Sequence, residues 1–163
     1  MEVILTMIRV LFVCLGNICR SPMAEAIFRD LVNKENLSEK ITVDSAGTSD
    51  WHVGKQPHEG TRKILDDKNI SYENIRARQV SEDDRDTFDY IIAMDEQNIT
   101  DLNNLLIKDH KNIKLAKLTD YIDQADEENI PDPYFTGDFS YTYQLIYAGV
   151  KNLLTHIKKT YHI

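Results

Sequence analysis

"VLFVCLGNICRSPMAEAIF", residues 10–28, opens as a buried strand and closes as a helix. Its apolar run through Val13 shows no polar alternation, the pattern of a strand covered on both faces. Further on, Met23, Ile27 and Leu31 recur every four residues with Ala24 and Phe28 beside them, and Ser21 and Pro22 supply helix-start signals. Between the two halves lie the chain's two cysteines, Cys14 and Cys19, followed by Arg20 and Ser21. A turn from strand into helix aims successive backbone N–H groups at one point, at the positive end of the helix. Gly16 suits a tight turn, and Asn17 tolerates the left-handed conformation. The stretch therefore reads as an anion cradle, to which Arg20 adds a planar fork matched to two phosphate oxygens. The G-x-x-x-x-G-K-[ST] pattern is absent, so this is not a nucleotide P-loop.

Outward from this loop, short apolar runs alternate with helical patterns. "RVLFV" (9–13), "ITV" (41–43), "YIIAM" (90–94) and "IKLA" (113–116) read as strands. A second helix is expected to open near Pro57 and bury Ile64 and Leu65. A third follows the Asp95 cap with Ile99, Leu102 and Leu106 facing inward. Phe139, Tyr143, Ile146, Val150, Leu153 and Ile157 step by four and three, one apolar stripe on a final helix. Residues 117–138 lack such a pattern and read as one long loop, of a length that is uncommon unless functional. The alternation implies a single α/β domain, with a parallel sheet covered by helices on both faces. In such folds ligands bind at the carboxyl ends of strands, where Cys14 falls.

A chain of 163 residues is enough for one domain with a proper core. Its net charge of −8 argues against nucleic acid or an anionic membrane surface as main partner, but a small pocket on it can still be locally positive. "MEVILTM" has no basic leader region and Arg9 interrupts the apolar stretch, so neither a signal peptide nor membrane insertion is expected. Met7 is an equally good start, which makes the first six residues read as an extension. Two closely spaced cysteines form no secreted disulfide framework, so a cytoplasmic location is expected. His52, His58, His110, His156 and His162 are scattered without metal-ligand spacing, so no metal and no cofactor are expected.

A lone cysteine at a strand end is usually a small buried hydrophobe. Cys-x5-Arg-Ser across a strand-to-helix turn favours a nucleophile instead, because helix N-termini and guanidinium groups favour the thiolate. The groups that would hold a phosphate would also activate the atom that attacks it.

"VCLGNICRSPMAEA" resembles the active-site loop of low-molecular-weight protein tyrosine phosphatases, and "DSAGTSDWHVG" (44–54) and "PDPYFTGDF" (131–139) are similar to that family's two other characteristic segments. The resemblance runs from Arg9 to the final helix, so residues 1–8 read as an extension and the start of the first strand, and 9–163 as the phosphatase domain. It implies a four-stranded parallel sheet and hydrolysis of phosphotyrosine in proteins, with inorganic phosphate as product. It further implies that Cys14 is the nucleophile and becomes a phosphocysteine. Arg20 and the loop of Leu15, Gly16, Asn17, Ile18, Cys19 and Ser21 bind the phosphate, and Asp132, held between Pro131 and Pro133, is the general acid and base. Ser21 matches a residue that hydrogen-bonds the thiolate, Asn17 and Ser45 match residues bracing the loop, and Trp51 and Tyr134 match the aromatic walls of the cleft.

The match is looser at Phe135, and Ile18 bears on the substrate. Phe135 stands where some members carry a second tyrosine, which removes regulation by its phosphorylation. Ile18 is the residue of the tyrosine-specific members, whereas relatives acting on phosphoarginine carry Thr. Three rival readings remain: a protein arginine phosphatase, a thiol-dependent arsenate reductase, and a catalytically silent phosphate-binding module. The reductase cascade resembles one needing cysteines outside the loop, and this chain has none there. The silent module would be expected to lose Cys14 or Asp132. Cys19 reads two ways, as a packed side chain or, as the resemblance supports, as a redox partner that captures oxidised Cys14 in a disulfide.

Overall fold

The computed structural model describes residues 7–106, 113–123 and 127–163. His110, the first six residues and part of the expected 117–138 loop lie outside them. Four parallel strands, β1 (Ile8–Cys14), β2 (Ile41–Gly47), β3 (Tyr90–Ala93) and β4 (Lys114–Lys117), form one sheet in the order β2-β1-β3-β4. Each expected strand is present, with β2 running four residues beyond the expected end at Val43. β1 sits inside the sheet, and Val10 to Val13 are fully buried, which is why its sequence lacks alternation.

The period-two geometry of a strand sends neighbouring side chains of β1 to opposite layers. Val10, Phe12 and Cys14 join a large core with Met23 and Ile27 of α1 (Arg20–Lys34) and Ile146, Val150, Leu153 and Ile157 of α6 (Phe139–Tyr161). Leu11 and Val13 join a second core with Ile91, Ala93 and Leu102 on the other face, under α4 (Glu96–Leu105). Both faces are thus covered, as expected. α2 (Glu59–Asp67) opens near Pro57 as expected, capped by His58, whose ring accepts the Gly60 N–H at 3.0 Å.

Two corrections concern the connections. A short helix, α3 (Asp84–Thr87), has no apolar period to announce it. The expected long loop contains a 3-10 turn (Leu118–Tyr121) and a helical turn, α5 (Pro133–Thr136), capped by Asp132. Elements of four residues carry too little pattern to stand out, and Asp132 at the cap with Pro133 at the first helical position were the available signals.

Strand order places the site. β1 connects to β2 on one side and pairs with β3 on the other, so the chain switches direction between the carboxyl ends of β1 and β3. Cys14 ends β1, and Asp95 stands two residues beyond β3. The return segment reaches the same edge, where Ile130 N–H donates to Met94 O at 2.8 Å.

Candidate active site

The loop from Cys14 to Arg20 curls at this switch point. Asn17 is left-handed, with φ of 56°, as its type allows. Gly16 is not left-handed, and its value is spatial: a Cβ there would stand 3.0 Å from His52 Cδ2. Gly47, at the end of β2, lets the backbones nest, since a Cβ there would meet the Leu15 carbonyl oxygen at 2.8 Å. The N–H groups of residues 15 to 20 donate to no protein acceptor among the described residues. Backbone donors that are buried or half-buried are normally paired, so this row of N–H groups is suited to an external oxyanion.

Arg20 is buried at 3% exposure and points the same way. Its Nη1 donates to Asp95 Oδ2 at 2.6 Å and to Ile130 O at 3.0 Å, and its Nη2 donates to Asp132 Oδ2 at 3.3 Å. Its Nε is buried and unpartnered. Burial opposes the charge on Arg20, but Cys14, Asp132 and Asp95 outweigh it, so the guanidinium is held even more firmly protonated than usual.

Behind the loop, Cys14 Sγ lies 2.9 Å from Ser21 Oγ. Asn17 Nδ2 donates to Ser21 Oγ at 2.7 Å and to Ser45 Oγ at 3.0 Å, and Asn17 Oδ1 accepts the Arg78 N–H at 3.0 Å. Ser21 Oγ accepts from Asn17, and its own hydrogen has the Ala46 carbonyl at 3.5 Å and the Cys14 sulfur at 2.9 Å within reach. Ser45 Oγ donates onward to Glu25 Oε1 at 2.6 Å. Glu25 is buried, and that burial pushes its carboxyl up to about 7.

A cavity of about 260 Å³ opens above Cys14. Asp132, Trp51, His52, Tyr134 and Phe135 stand around it, and Trp51 and Phe135 are largely exposed at the rim. Asp132 Oδ1 accepts the Tyr134 N–H at 3.0 Å, which anchors the carboxylate and leaves Oδ2 on the Arg20 side. Cys19 is buried beside Ile18, Ala77 and Phe139, and that burial pushes its thiol up to about 12. Cys14 and Cys19 are both free thiols.

All the expected site residues therefore meet at one edge of the sheet, with Asn17, Ser21 and Ser45 behind the loop rather than in the cavity. Four further residues share the site without having been singled out for it. Asp95 read only as a helix cap, and it does cap α4 through Asn98 N–H at 2.8 Å while its other oxygen holds Arg20. Glu25 carried a usable signal: it stands four residues after Ser21, on the same face of α1. His52 and Arg78 carried none. Among the described residues, no group of three or more His, Cys, Asp or Glu side chains is arranged to hold a metal ion. No helix among them is long and apolar enough to cross a membrane.

Comparison with known proteins gives a consistent picture. The sequence model of the low molecular weight phosphotyrosine protein phosphatase family matches residues 9–162. The chain is 55% identical over 154 residues to the low molecular weight protein-tyrosine-phosphatase YfkJ of Bacillus subtilis, covering 94% of this chain and 97% of that one. It is 41% identical over 157 residues to the low molecular weight protein-tyrosine-phosphatase PtpA of Staphylococcus aureus, covering 94% and 96%. The crystal structure of YfkJ superposes with a TM-score of 0.91 at 53% identity, over 95% of this chain and 97% of that one. The crystal structure of DARP, an arginine phosphatase of drosophila, superposes with a TM-score of 0.84 at 39% identity, covering 91% and 97%.

Proposed function

The chain belongs to the low molecular weight phosphotyrosine protein phosphatase family, and on that premise we propose that it hydrolyses phosphotyrosine in proteins through a phosphocysteine on Cys14. The observation that carries this reading is the convergence of the row of unpaired N–H groups and the unpartnered Arg20 Nε around Cys14. The phosphate enters with its three non-bridging oxygens against the amides of residues 15 to 20 and the Arg20 fork. Cys14 Sγ attacks phosphorus in line with the tyrosyl oxygen, and the P–O bond breaks as the S–P bond forms. Ser21 donates to the sulfur, and the fixed donors stabilise the charge on the transferring group without reorganising.

Asp132, protonated in this step, gives its proton to the departing phenolate oxygen. The resulting carboxylate then takes a proton from the water that attacks the thiophosphate ester. Inorganic phosphate leaves and Cys14 returns as thiolate. Trp51 and Tyr134 flank the aryl ring, and this slot favours phosphotyrosine because a phosphoserine is too short to fill it while its phosphate reaches the loop. Burial holds Cys19 as a thiol, so it does not compete with Cys14 as nucleophile, and the same shift disfavours its capture of an oxidised Cys14 as a disulfide.

The arginine phosphatase alternative has a specific observation behind it, the likeness to DARP, and Ile18 on the cleft wall weighs against it. Paired peptides test the choice. A phosphotyrosine peptide and its phosphoarginine counterpart are assayed without added metal, and the phosphotyrosine peptide is expected to give the higher kcat/KM. Preference for phosphoarginine would overturn the substrate assignment, and turnover of neither would overturn the phosphatase reading.

A further inference from the structure

A second hollow of about 530 Å³ adjoins the active-site cavity and shares Ile18, His52 and Tyr134 with it as a common ridge. Its far side carries Lys55, His58, Arg62 and Arg76, against a single carboxylate, Glu59. The arrangement is built by the backbone. Gly54 N–H donates to Ala77 O and Ala77 N–H donates to Lys55 O, each at 2.8 Å, which sets the segments bearing Lys55 and Arg76 side by side. Arg62 is steadied by its Nε donating to Pro57 O at 3.0 Å. The His58 ring stacks on Phe139 and meets Tyr134 edge-on. Its Nδ1 accepts the Gly60 N–H, so the ring hydrogen belongs on Nε2.

The charges in this hollow are unspent. Among the described residues, none of Lys55, Arg62 and Arg76 pairs with a carboxylate, and all three line the same hollow. On a chain of net charge −8, three cations against one carboxylate make this hollow locally positive. The hollow adjoins the cleft across this ridge, within reach of residues flanking the one whose phosphate sits over Cys14. We propose that this groove binds acidic side chains flanking the phosphotyrosine of the substrate protein, and so selects phosphotyrosines in acidic sequence contexts. The proposal rests on the phosphatase reading above. Three extended residues span about 10 Å, so carboxylates within that distance of the phosphotyrosine are the ones selected.

Two phosphotyrosine peptides of equal length test it, one with Asp and Glu on both flanks and one with Asn and Gln in their place. At low ionic strength the acidic peptide is expected to have roughly three- to tenfold higher kcat/KM, the scale of a few exposed charge pairs. The advantage disappears at about 1 M salt, where the screening length falls to about 3 Å. Lys55→Glu combined with Arg76→Glu is expected to invert the preference, and Lys55→Gln with Arg76→Gln to erase it. Turnover of para-nitrophenyl phosphate stays at the parent level in both variants, because that substrate ends inside the cleft and neither residue lines it. Equal kcat/KM for both peptides with the parent, or a parental preference retained in the charge-reversed variant, overturns the groove assignment alone. Failure of the parent on both peptides and on para-nitrophenyl phosphate overturns the phosphatase reading instead.

Discussion

Asp132 illustrates how one side chain is aimed by its neighbours. Its Oδ1 is held by the Tyr134 N–H and its Oδ2 lies toward Arg20, so one carboxylate is fixed from both ends. Asp132→Ala is expected to slow aryl phosphates by roughly 10²–10⁴-fold, the usual size of general acid catalysis. Substrates with very acidic leaving groups suffer less, because their departing oxygen needs little protonation. A loss independent of leaving-group pKa would remove Asp132 from that role. At this scale the sequence was most informative where chemistry compresses into a short motif: Cys14, Arg20 and Ser21 lie within eight residues. Asp95 was opaque because its partnership with Arg20 spans 75 positions and its capping role already explained it.

Among the elements, α6 was legible because a buried face of this length repeats its period several times. Its packing partner was not. Gly149, in that helix, lies against the 3-10 turn at Leu118, where an added Cβ would stand 2.6 Å from Leu118 Cγ. Ala in a helix interior gains about 1 kcal/mol over Gly, while overpacking a full core costs about 1–3 kcal/mol. Leu118 is fully buried and has no room to yield, so the second effect wins. Gly149→Ala is therefore expected to lower the denaturation midpoint, with para-nitrophenyl phosphate turnover unchanged well below Tm. A raised midpoint would show that the interface relaxes around the methyl group. The turns at 118–121 and 133–136 escaped notice for a related reason: each is a single turn with local caps and no repeating apolar period.

Across the whole molecule, stability carries the signature of Glu25. Its carboxyl has an ordinary value of 4.5 and is pushed by burial up to about 7 in the fold. Between these values the native state holds a proton that the unfolded chain has released, so this residue makes stability fall as pH rises. Below 4.5 both states are protonated and there is no penalty; above about 7 the penalty is complete. Glu25→Gln keeps an acceptor for Ser45 and removes the titration. Its stability relative to the parent is expected to rise with pH and level off at roughly 3 kcal/mol, at about 1.4 kcal/mol per pKa unit. A pH-independent difference, read from urea melts, would contradict this account of Glu25. The parallel sheet and the location of the site at its carboxyl edge were readable from alternation alone, whereas this buried network needed three dimensions to appear. The central claim concerns the bond that Cys14 forms. Intact-protein mass spectrometry after rapid acid quench of turnover with para-nitrophenyl phosphate should show one added phosphoryl group, located on Cys14 and absent from Cys14→Ser. Steady release of phosphate with no such adduct, or an adduct that persists in Cys14→Ser, would contradict it.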